Sequence, residues 1–289
     1  MKKIALTALM LTSTSAFATT TRTSALSNNV GMADDTDFQT YGSTAAGDSA
    51  WLDYDGTNLG AAAGFDGNAV TFAQGDGRVD FGWYNADGDS GYRVLAGIAS
   101  TEAIAIGGGY GMGDMDFGAM IDKNGDDMDI MATFRSRTLS DTDVTAYGLN
   151  IAKTTAGIDV DGNYVMGNVW GSDASKAALT YGPGLNIGMP DGGDMAIGVT
   201  LMGANLAGEV TVKDWLGIRG SVAANLDLVD PTGELDVATS METGFGASIN
   251  TDSVDIDLMV SPQAVLNGPY FLTGAPSAPA ASLSARFDI

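Results

Sequence analysis

The 289-residue sequence contains neither cysteine nor histidine. Without cysteine the chain can form no disulfide and offers no thiol nucleophile. Without histidine, Ser-His-Asp and Cys-His catalytic sites and His-ligated metal sites are excluded. We therefore expect a protein that is not an enzyme and has no catalytic residues, no metal site and no cofactor.

Positive charge is scarce. Thirteen lysines and arginines face 36 aspartates and glutamates, which gives a formal net charge of −23. Nucleic-acid binding needs clustered basic residues, so we expect no nucleic-acid partner. Because 45% of the residues are hydrophobic, the acidity does not indicate a disordered chain.

Long hydrophobic runs are also missing, since apolar segments are short and broken by Gly, Asp and Asn. A membrane-spanning helix needs about 20 apolar residues, whereas a membrane-spanning strand needs only about 9–11 residues that alternate in polarity. Forty glycines favour turns and strands over helices. The composition therefore excludes a helical membrane protein and leaves a membrane barrel open.

The N-terminus has the pattern of a cleavable export signal. Lys2 and Lys3 precede a short apolar run over 4–11, and Ala16-Phe17-Ala18 has the small-residue pattern of a cleavage site. We predict a signal peptide over 1–18 and a mature chain that begins near Thr19. Residues 19–60 are polar and irregular and are predicted to form a periplasmic or plug segment, and 61–289 a barrel.

From about Ala69 onward the chain alternates with a period of two residues between clusters of Gly, Asp and Asn. Val79, Phe81 and Trp83, for example, alternate with Arg78 and Asp80. Successive side chains of a strand point to opposite faces, and the clusters suit tight hairpins. The fourteen predicted strands lie at 69–74, 78–85, 92–99, 103–112, 115–122, 128–138, 144–152, 160–171, 177–188, 197–212, 215–228, 243–250, 254–260 and 281–289. The predicted fold is all-β, a closed antiparallel barrel of 12–14 strands with a small N-terminal plug.

A soluble β-sandwich alternates as well, but three features favour a membrane barrel. The first is the export signal, followed by consecutive hairpins with no helical interruption. The second is that Trp83, Trp170 and Trp215 flank turns at one end of the predicted barrel, as in an interfacial aromatic girdle. The third is that the strand at 281–289 alternates to the last residue and resembles the C-terminal insertion signal of outer-membrane barrels. We expect the outer membrane of a Gram-negative bacterium, with the lipid bilayer and the outer-membrane insertion machinery as partners.

One family resemblance concerns the N-terminal segment. Ala25-Leu26, followed by residues 31–35 (Gly-Met-Ala-Asp-Asp), resembles the start of long-chain fatty-acid transporter (FadL-type) barrels. Residues 206–220 are similar to a recurring hairpin of that class, whose strand number is also fourteen. The family's usual Asn-Pro-Ala-Gly continuation is missing after residue 35. The resemblance implies a barrel whose lumen holds a plug.

Strand phase also predicts which charged residues line the lumen. The predicted basic residues are Arg78, Arg93, Arg135, Arg137, Arg219 and Arg286. The predicted acidic residues are Asp80, Asp116, Asp159, Asp161, Asp255, Asp257 and Asp288. Two interpretations remain open: a water-filled passage whose charges tune selectivity, or a closed interior of mutually satisfied ion pairs.

These patterns support two functions from different classes. The first is a porin-like channel, or a transporter of hydrophobic solutes, for passive uptake of a small solute. The alternative is a non-conducting structural or surface-interaction barrel. The acidic stretch 122–129 has the carboxylate density of a calcium loop but lacks its register, and a solvated hairpin turn suits it better.

Overall fold

A computed structural model gives the fold. It describes residues 26, 29–32, 37–39, 48–54, 58–75, 78–87, 89–172, 174–193, 195–230, 236–251, 253–260 and 281–288. The predicted signal peptide and its cleavage site lie outside these residues. Among them, helical structure is limited to a 3-10 turn at Asp37–Gln39. No helix in this part of the chain is long and apolar enough to cross a membrane.

The described strands form one closed antiparallel barrel, which confirms the predicted fold class. The strands are β1 (Ser49–Tyr54), β2 (Leu59–Phe65), β3 (Asn68–Gly75), β4 (Arg78–Asp87), β5 (Ser90–Ser100), β6 (Ala103–Met112), β7 (Met115–Asn124), β8 (Asp127–Leu139), β9 (Asp143–Thr154), β10 (Gly157–Ser172), β11 (Ser175–Pro190), β12 (Ala196–Lys213), β13 (Leu216–Asp230), β14 (Asp236–Asn250), β15 (Val254–Val260) and β16 (Ala281–Asp288). Each pairs with its neighbours in sequence, and β1 pairs with β16 to close the wall.

The barrel has sixteen strands rather than the predicted 12–14. The two strands that the sequence pattern missed are β1 and β2. The barrel wall therefore begins at Ser49, inside the segment 19–60 that was predicted to precede it. The acidic stretch 122–129 forms the β7–β8 hairpin, in which Gly125 has a positive φ.

The two faces of the sheet differ sharply. Large apolar side chains such as Phe81, Val94 and Ile121 are exposed on the outer face, while residues between them on the same strands are buried or half-buried. Ile106 on β6 pairs with Ile121 on β7, which pairs with Ile130 on β8, so a row of three isoleucines lies across these strands on the outer face. A soluble monomer rarely exposes such a continuous apolar surface.

The two ends of the barrel also differ. We call the end where β1 begins and β16 ends the termini end, and the opposite end the loop end. Connections at the termini end run over two or three residues, as at 66–67 and 140–142. At the loop end, longer stretches of sequence separate the described strands, among them 191–195, 231–235 and 261–280, the last two of which lie outside the described residues. Trp83, Trp170 and Trp215 all lie at the termini end, as the alternation of strand directions predicted.

The height of the wall varies around the barrel. Strands β1, β2, β3, β15 and β16 contain 6 to 8 residues each. Strands β10 to β14 contain 15 to 18 residues each. Because β14 and β15 pair through their ends near the termini end, the extra length of β14 rises at the loop end.

The described N-terminal residues lie against the inner face. Leu26 and Met32 are buried in a cluster with four wall residues, one from each of β9 to β12: Val144, Val169, Ala178 and Ala207. Asn29 Nδ2 donates to the carbonyl oxygens of Ala178, at 3.3 Å, and Asn205, at 2.9 Å. Apolar packing and backbone hydrogen bonds thus hold this segment to one side of the barrel.

Candidate functional site: the inner face of the barrel

Apart from Asp288, whose side chain lies outside the described residues, the predicted charged residues lie on the inner face, and several arginines reach across strands to a carboxylate. Arg93 on β5 passes over β6 and forms a bidentate pair with Asp116 on β7. The two contacts are 2.5 Å and 2.7 Å long, and the side chains are 6% and 1% exposed. A bidentate arginine–carboxylate pair forms two charge-assisted hydrogen bonds. Because both groups are buried, removal of either one would leave the other as an unpaired charge that water does not reach.

Glycines on β6 and β7 make room for this pair. A Cβ atom at Gly109 would lie 2.5 Å from Arg93 Cζ and 2.7 Å from the Phe117 carbonyl oxygen. A Cβ atom at Gly118 would lie 2.9 Å from Arg93 Nη2. Within the glycine-rich stretch 107–113, the absence of a side chain therefore leaves room for the guanidinium group of Arg93.

We expect Gly109→Ala to destabilise the barrel by about 1–3 kcal/mol, because the added methyl group displaces Arg93 or the backbone. The control is Gly162→Ala, whose added Cβ would meet no atom closer than 3.9 Å. Urea unfolding in lipid vesicles measures both variants. Equal midpoints would contradict the packing described for Gly109.

Arg78 forms a second cross-strand pair. Its Nε lies 2.8 Å from Asp80 Oδ1 on the same strand, and its Nη1 lies 2.8 Å from Asp122 Oδ2 on β7. The Arg78 side chain passes Gly97 on β5, where a Cβ atom would collide with the side chains of Asp80 and Arg78. Asp122 was not among the predicted lumen residues, although it has the same strand phase as Asp116.

Two further pairs lie beside the β1–β16 seam. Arg219 Nη2 on β13 lies 2.8 Å from Asp257 Oδ1 on β15, and it passes over β14, where its register partner is Gly246. Arg286 Nη2 lies 3.0 Å from Asp255 Oδ2 directly across the β15–β16 ladder. Each pair thus joins strands close to the point where the barrel closes.

The remaining two predicted arginines lie on β8. Arg137 Nη2 lies 2.5 Å from Asp37 Oδ2, which ties the N-terminal 3-10 turn to the wall. No spacing in the sequence indicated this partner. Arg135 faces the lumen as the register partner of Asp116 on β7 and Gly148 on β9. The side chain of Asp288 lies outside the described residues.

The inner face carries an excess of carboxylates. The described strands place ten aspartates there: Asp53, Asp80, Asp116, Asp122, Asp129, Asp159, Asp161, Asp227, Asp255 and Asp257. Six arginines share that face. Asp161 accepts from Asn186 Nδ2, and Asp227 accepts from Thr200 Oγ1 at 2.6 Å, so polar groups rather than arginines satisfy these two. Four of these ten aspartates escaped the sequence prediction: Asp53 lies on the missed strand β1, Asp122 and Asp129 lie opposite each other beside the β7–β8 turn, and Asp227 lies near the loop end of β13.

A pocket remains on the side of the barrel opposite β9–β12. It has about 380 Å³ of empty volume, part of which opens to solvent, and Gln39, Thr71, Arg78 and Tyr84 are among the residues that line it. The N-terminal segment therefore contacts β9–β12 through Leu26 and Met32 and reaches the β3–β4 wall at Gln39. Within the described residues, no group of three or more acidic side chains is placed to hold a metal ion.

No family model matches the sequence, and no curated protein does. The resemblance to fatty-acid transporters thus stays a prediction, and sixteen strands depart from the fourteen of that family. One similar solved structure is described as a bacterial polysaccharide outer membrane secretin. It is 9% identical with a TM-score of 0.48, and the match covers 83% of this chain and 96% of that chain.

Proposed function

We propose that the protein is an outer-membrane barrel that lets small hydrophilic solutes diffuse across the membrane. Two features support the location. The outer face exposes large apolar side chains around the whole wall. The sheet also closes on itself, so it has no unpaired edge within the height shared by all sixteen strands. The bilayer then replaces water around the isoleucine row, and the insertion machinery of the outer membrane is the expected partner in assembly.

The orientation follows from the lengths of the connections. Barrels of the bacterial outer membrane have short periplasmic turns and longer extracellular loops. The termini end, with connections of two or three residues, is therefore assigned to the periplasm, and the loop end to the outside. The tryptophans at the termini end then lie at the inner interface, where aromatic rings suit the headgroup region.

The observation that carries the channel proposal is a sixteen-strand closure with a charged inner face. Wall side chains can fill an eight-strand barrel, whereas barrels of 16–18 strands leave room for an aqueous channel. The excess of aspartates over arginines favours cations in such a lumen, since rings of acidic side chains select for cations. Because the inner face is polar, a hydrophilic solute suits this lumen better than a hydrophobic one.

We further propose that the N-terminal segment narrows this lumen as a plug. The support is its contact with β9–β12 through Leu26 and Met32, with β8 through Asp37, and with the β3–β4 wall at Gln39. A segment that touches both sides of the barrel restricts the passage between them.

Single-channel conductance in a planar bilayer tests the proposal with the mature chain and with a variant that lacks residues 19–47. We expect conductance that prefers cations in a salt gradient, and a several-fold larger conductance without the segment. Asp48 is retained because its Oδ1 accepts from the Asp66 backbone N–H at 2.9 Å. Heat-modifiable migration on gels serves as the folding control for both proteins.

The competing function is a non-conducting surface barrel. The buried Arg93–Asp116 pair and the bound N-terminal segment both favour it, since they fill part of the interior. If neither folded protein produces conductance in the bilayer, the channel proposal is wrong and the non-conducting surface barrel replaces it. Equal conductance with and without residues 19–47 would contradict the plug proposal and leave the channel proposal intact.

A further inference from the structure

The charged side chains of the inner face are divided along the barrel axis. We call the half of the lumen towards the loop end the loop half, and the other the termini half. Four arginines that pair with a carboxylate lie in the termini half: Arg93, Arg137, Arg219 and Arg286. Arg135 lies beside Arg137 on β8, also in the termini half. Arg78, the first residue of β4, lies at the loop end.

Aspartates occupy the inner face of the loop half. Asp129 lies near the start of β8, and Asp159 and Asp161 lie near the start of β10, and both strands start at the loop end. Asp227 lies near the loop end of β13. Within the described part of the chain, no lysine or arginine forms an ion pair with any of these four aspartates. Their negative charge is therefore uncompensated by neighbouring side chains.

Arg78 neutralises only part of the charge in the loop half. It contacts both Asp80 and Asp122, so one guanidinium group serves two carboxylates. Asp122 is also the direct register partner of Asp129 across the β7–β8 ladder. Like charges directly opposite each other in a sheet are destabilising, so this arrangement does not stabilise the wall. Its effect is a negative potential in the loop half.

Segments outside the described residues cannot supply the balancing charge. The sequence has thirteen lysines and arginines, and in the predicted mature chain only Arg22 lies outside the described residues. The undescribed stretches of the loop end, at 55–57, 76–77, 231–235 and 261–280, contain no lysine or arginine. A single further cation would leave at least three of the four aspartates without a basic partner.

We propose that the loop half of the lumen is a negatively charged vestibule that concentrates solutes with several positive charges, such as linear polyamines. A cavity lined by charges of one sign, with walls of low dielectric constant, focuses the field and raises the local concentration of counter-ions. The four aspartates are spread over β8, β10 and β13, so an extended polycation can approach more than one of them at a time. The passage of such a solute rests on the proposed channel, whereas the potential does not.

Single cysteines introduced into the full mature protein measure this potential, because the sequence contains no cysteine of its own. Met131→Cys places a thiol on the inner face of the loop half, level with Asp159 two strands away. Val165→Cys places one in the termini half, level with Arg137 two strands away. The measurement is the ratio of the modification rates by a cationic and an anionic methanethiosulfonate reagent of similar size. The same ratio in the urea-unfolded variant is the reference.

We expect the folded barrel to favour the cationic reagent at least ten-fold over the reference at residue 131, and less than three-fold at residue 165. Asp129→Asn with Asp159→Asn should lower the ratio at residue 131 at least four-fold. The matched control is Asp126→Asn with Asp191→Asn, which removes two carboxylates from exposed turns at the loop end and should change the ratio less than two-fold. Heat-modifiable migration checks that each variant folds.

Conductance in a planar bilayer separates the vestibule from the channel. In a conducting barrel, millimolar spermine should reduce the potassium current, and Asp129→Asn with Asp159→Asn should weaken that inhibition at least three-fold. A ratio at residue 131 that equals its unfolded reference, or equal ratios at residues 131 and 165, would overturn the vestibule even if the barrel conducts. A silent bilayer with a raised ratio at residue 131 would overturn the channel and the passage of a cationic solute, and would leave the vestibule supported.

Discussion

Replacement of Ile121 by arginine is expected to destabilise the folded barrel by about 2–4 kcal/mol and to lower the fraction that folds into membranes. Ile121 lies on the outer face at the centre of the isoleucine row between Ile106 and Ile130, and Ile106 is 63% exposed. A charged side chain at the midplane of a barrel's lipid face costs about 2–4 kcal/mol. That is a large part of the 5–15 kcal/mol that keeps a typical protein folded. The fraction that shows heat-modifiable migration after refolding into vesicles measures the loss.

The matched control is Met120→Arg, one position away on the same strand. Met120 faces inward and borders the pocket that contains Arg78 and Asp80. An arginine there enters an acidic, polar interior, and we expect a much smaller loss of folded protein. If both variants fold equally well, the outer face does not lie in lipid. If the losses were reversed, the strand phase would be wrong by one residue.

Arg93→Met is expected to destabilise the barrel by about 3–5 kcal/mol, because it leaves the Asp116 carboxylate buried without its charge partner. The double variant Arg93→Met, Asp116→Leu should regain much of that loss, because it removes the stranded charge. Urea unfolding in vesicles of the wild type, the two single variants Arg93→Met and Asp116→Leu, and the double variant gives the three free-energy changes from which the coupling between the two residues is calculated.

The exposed pair of Lys153 and Asp191 is the control for this experiment. Its Nζ–Oδ2 distance is 2.9 Å, but the side chains are 46% and 67% exposed. Solvent screens such a pair, so Lys153→Met should change the free energy of unfolding by less than about 1 kcal/mol. Similar losses for Arg93→Met and Lys153→Met would mean that water reaches Arg93 and Asp116 freely.

The alternation of side chains predicted most of the wall, because one face of each strand is apolar and the other is small or polar. It failed at β1 and β2 for local reasons. In β2 the inward residues Gly60, Ala62 and Gly64 alternate with Ala61 and Ala63, so the two faces differ little in polarity. In β1 the inward Trp51 and the outward Leu52 are both large and apolar, so neighbouring residues on opposite faces do not differ in polarity. Alternation identifies a strand only when its two faces differ.

The positions of charged residues along each strand followed from the sequence, but their partners did not. Arg93 and Asp116 belong to different hairpins, and their contact depends on Gly109 in the strand between them. Asp37 meets Arg137 only because the N-terminal segment lies inside the barrel. Such pairs depend on barrel closure and on how far an arginine side chain extends across neighbouring strands. Neither property can be predicted from the alternation of residues along one strand.

The seam between β1 and β16 has a consequence for the order of events in assembly. It pairs Ser49 with Asp288, so the ladder that completes the wall joins the first and the last described strands. Every other ladder joins strands that are consecutive in sequence, and these hairpins close short loops quickly. Among the described ladders, the seam has the largest sequence separation, and it can form only after β16 has been synthesised. Until Ala281–Asp288 pairs with β1, each partly assembled sheet keeps two unpaired edges. Strands of a second copy of the chain can pair with these edges, so the risk of aggregation lasts until the seam closes.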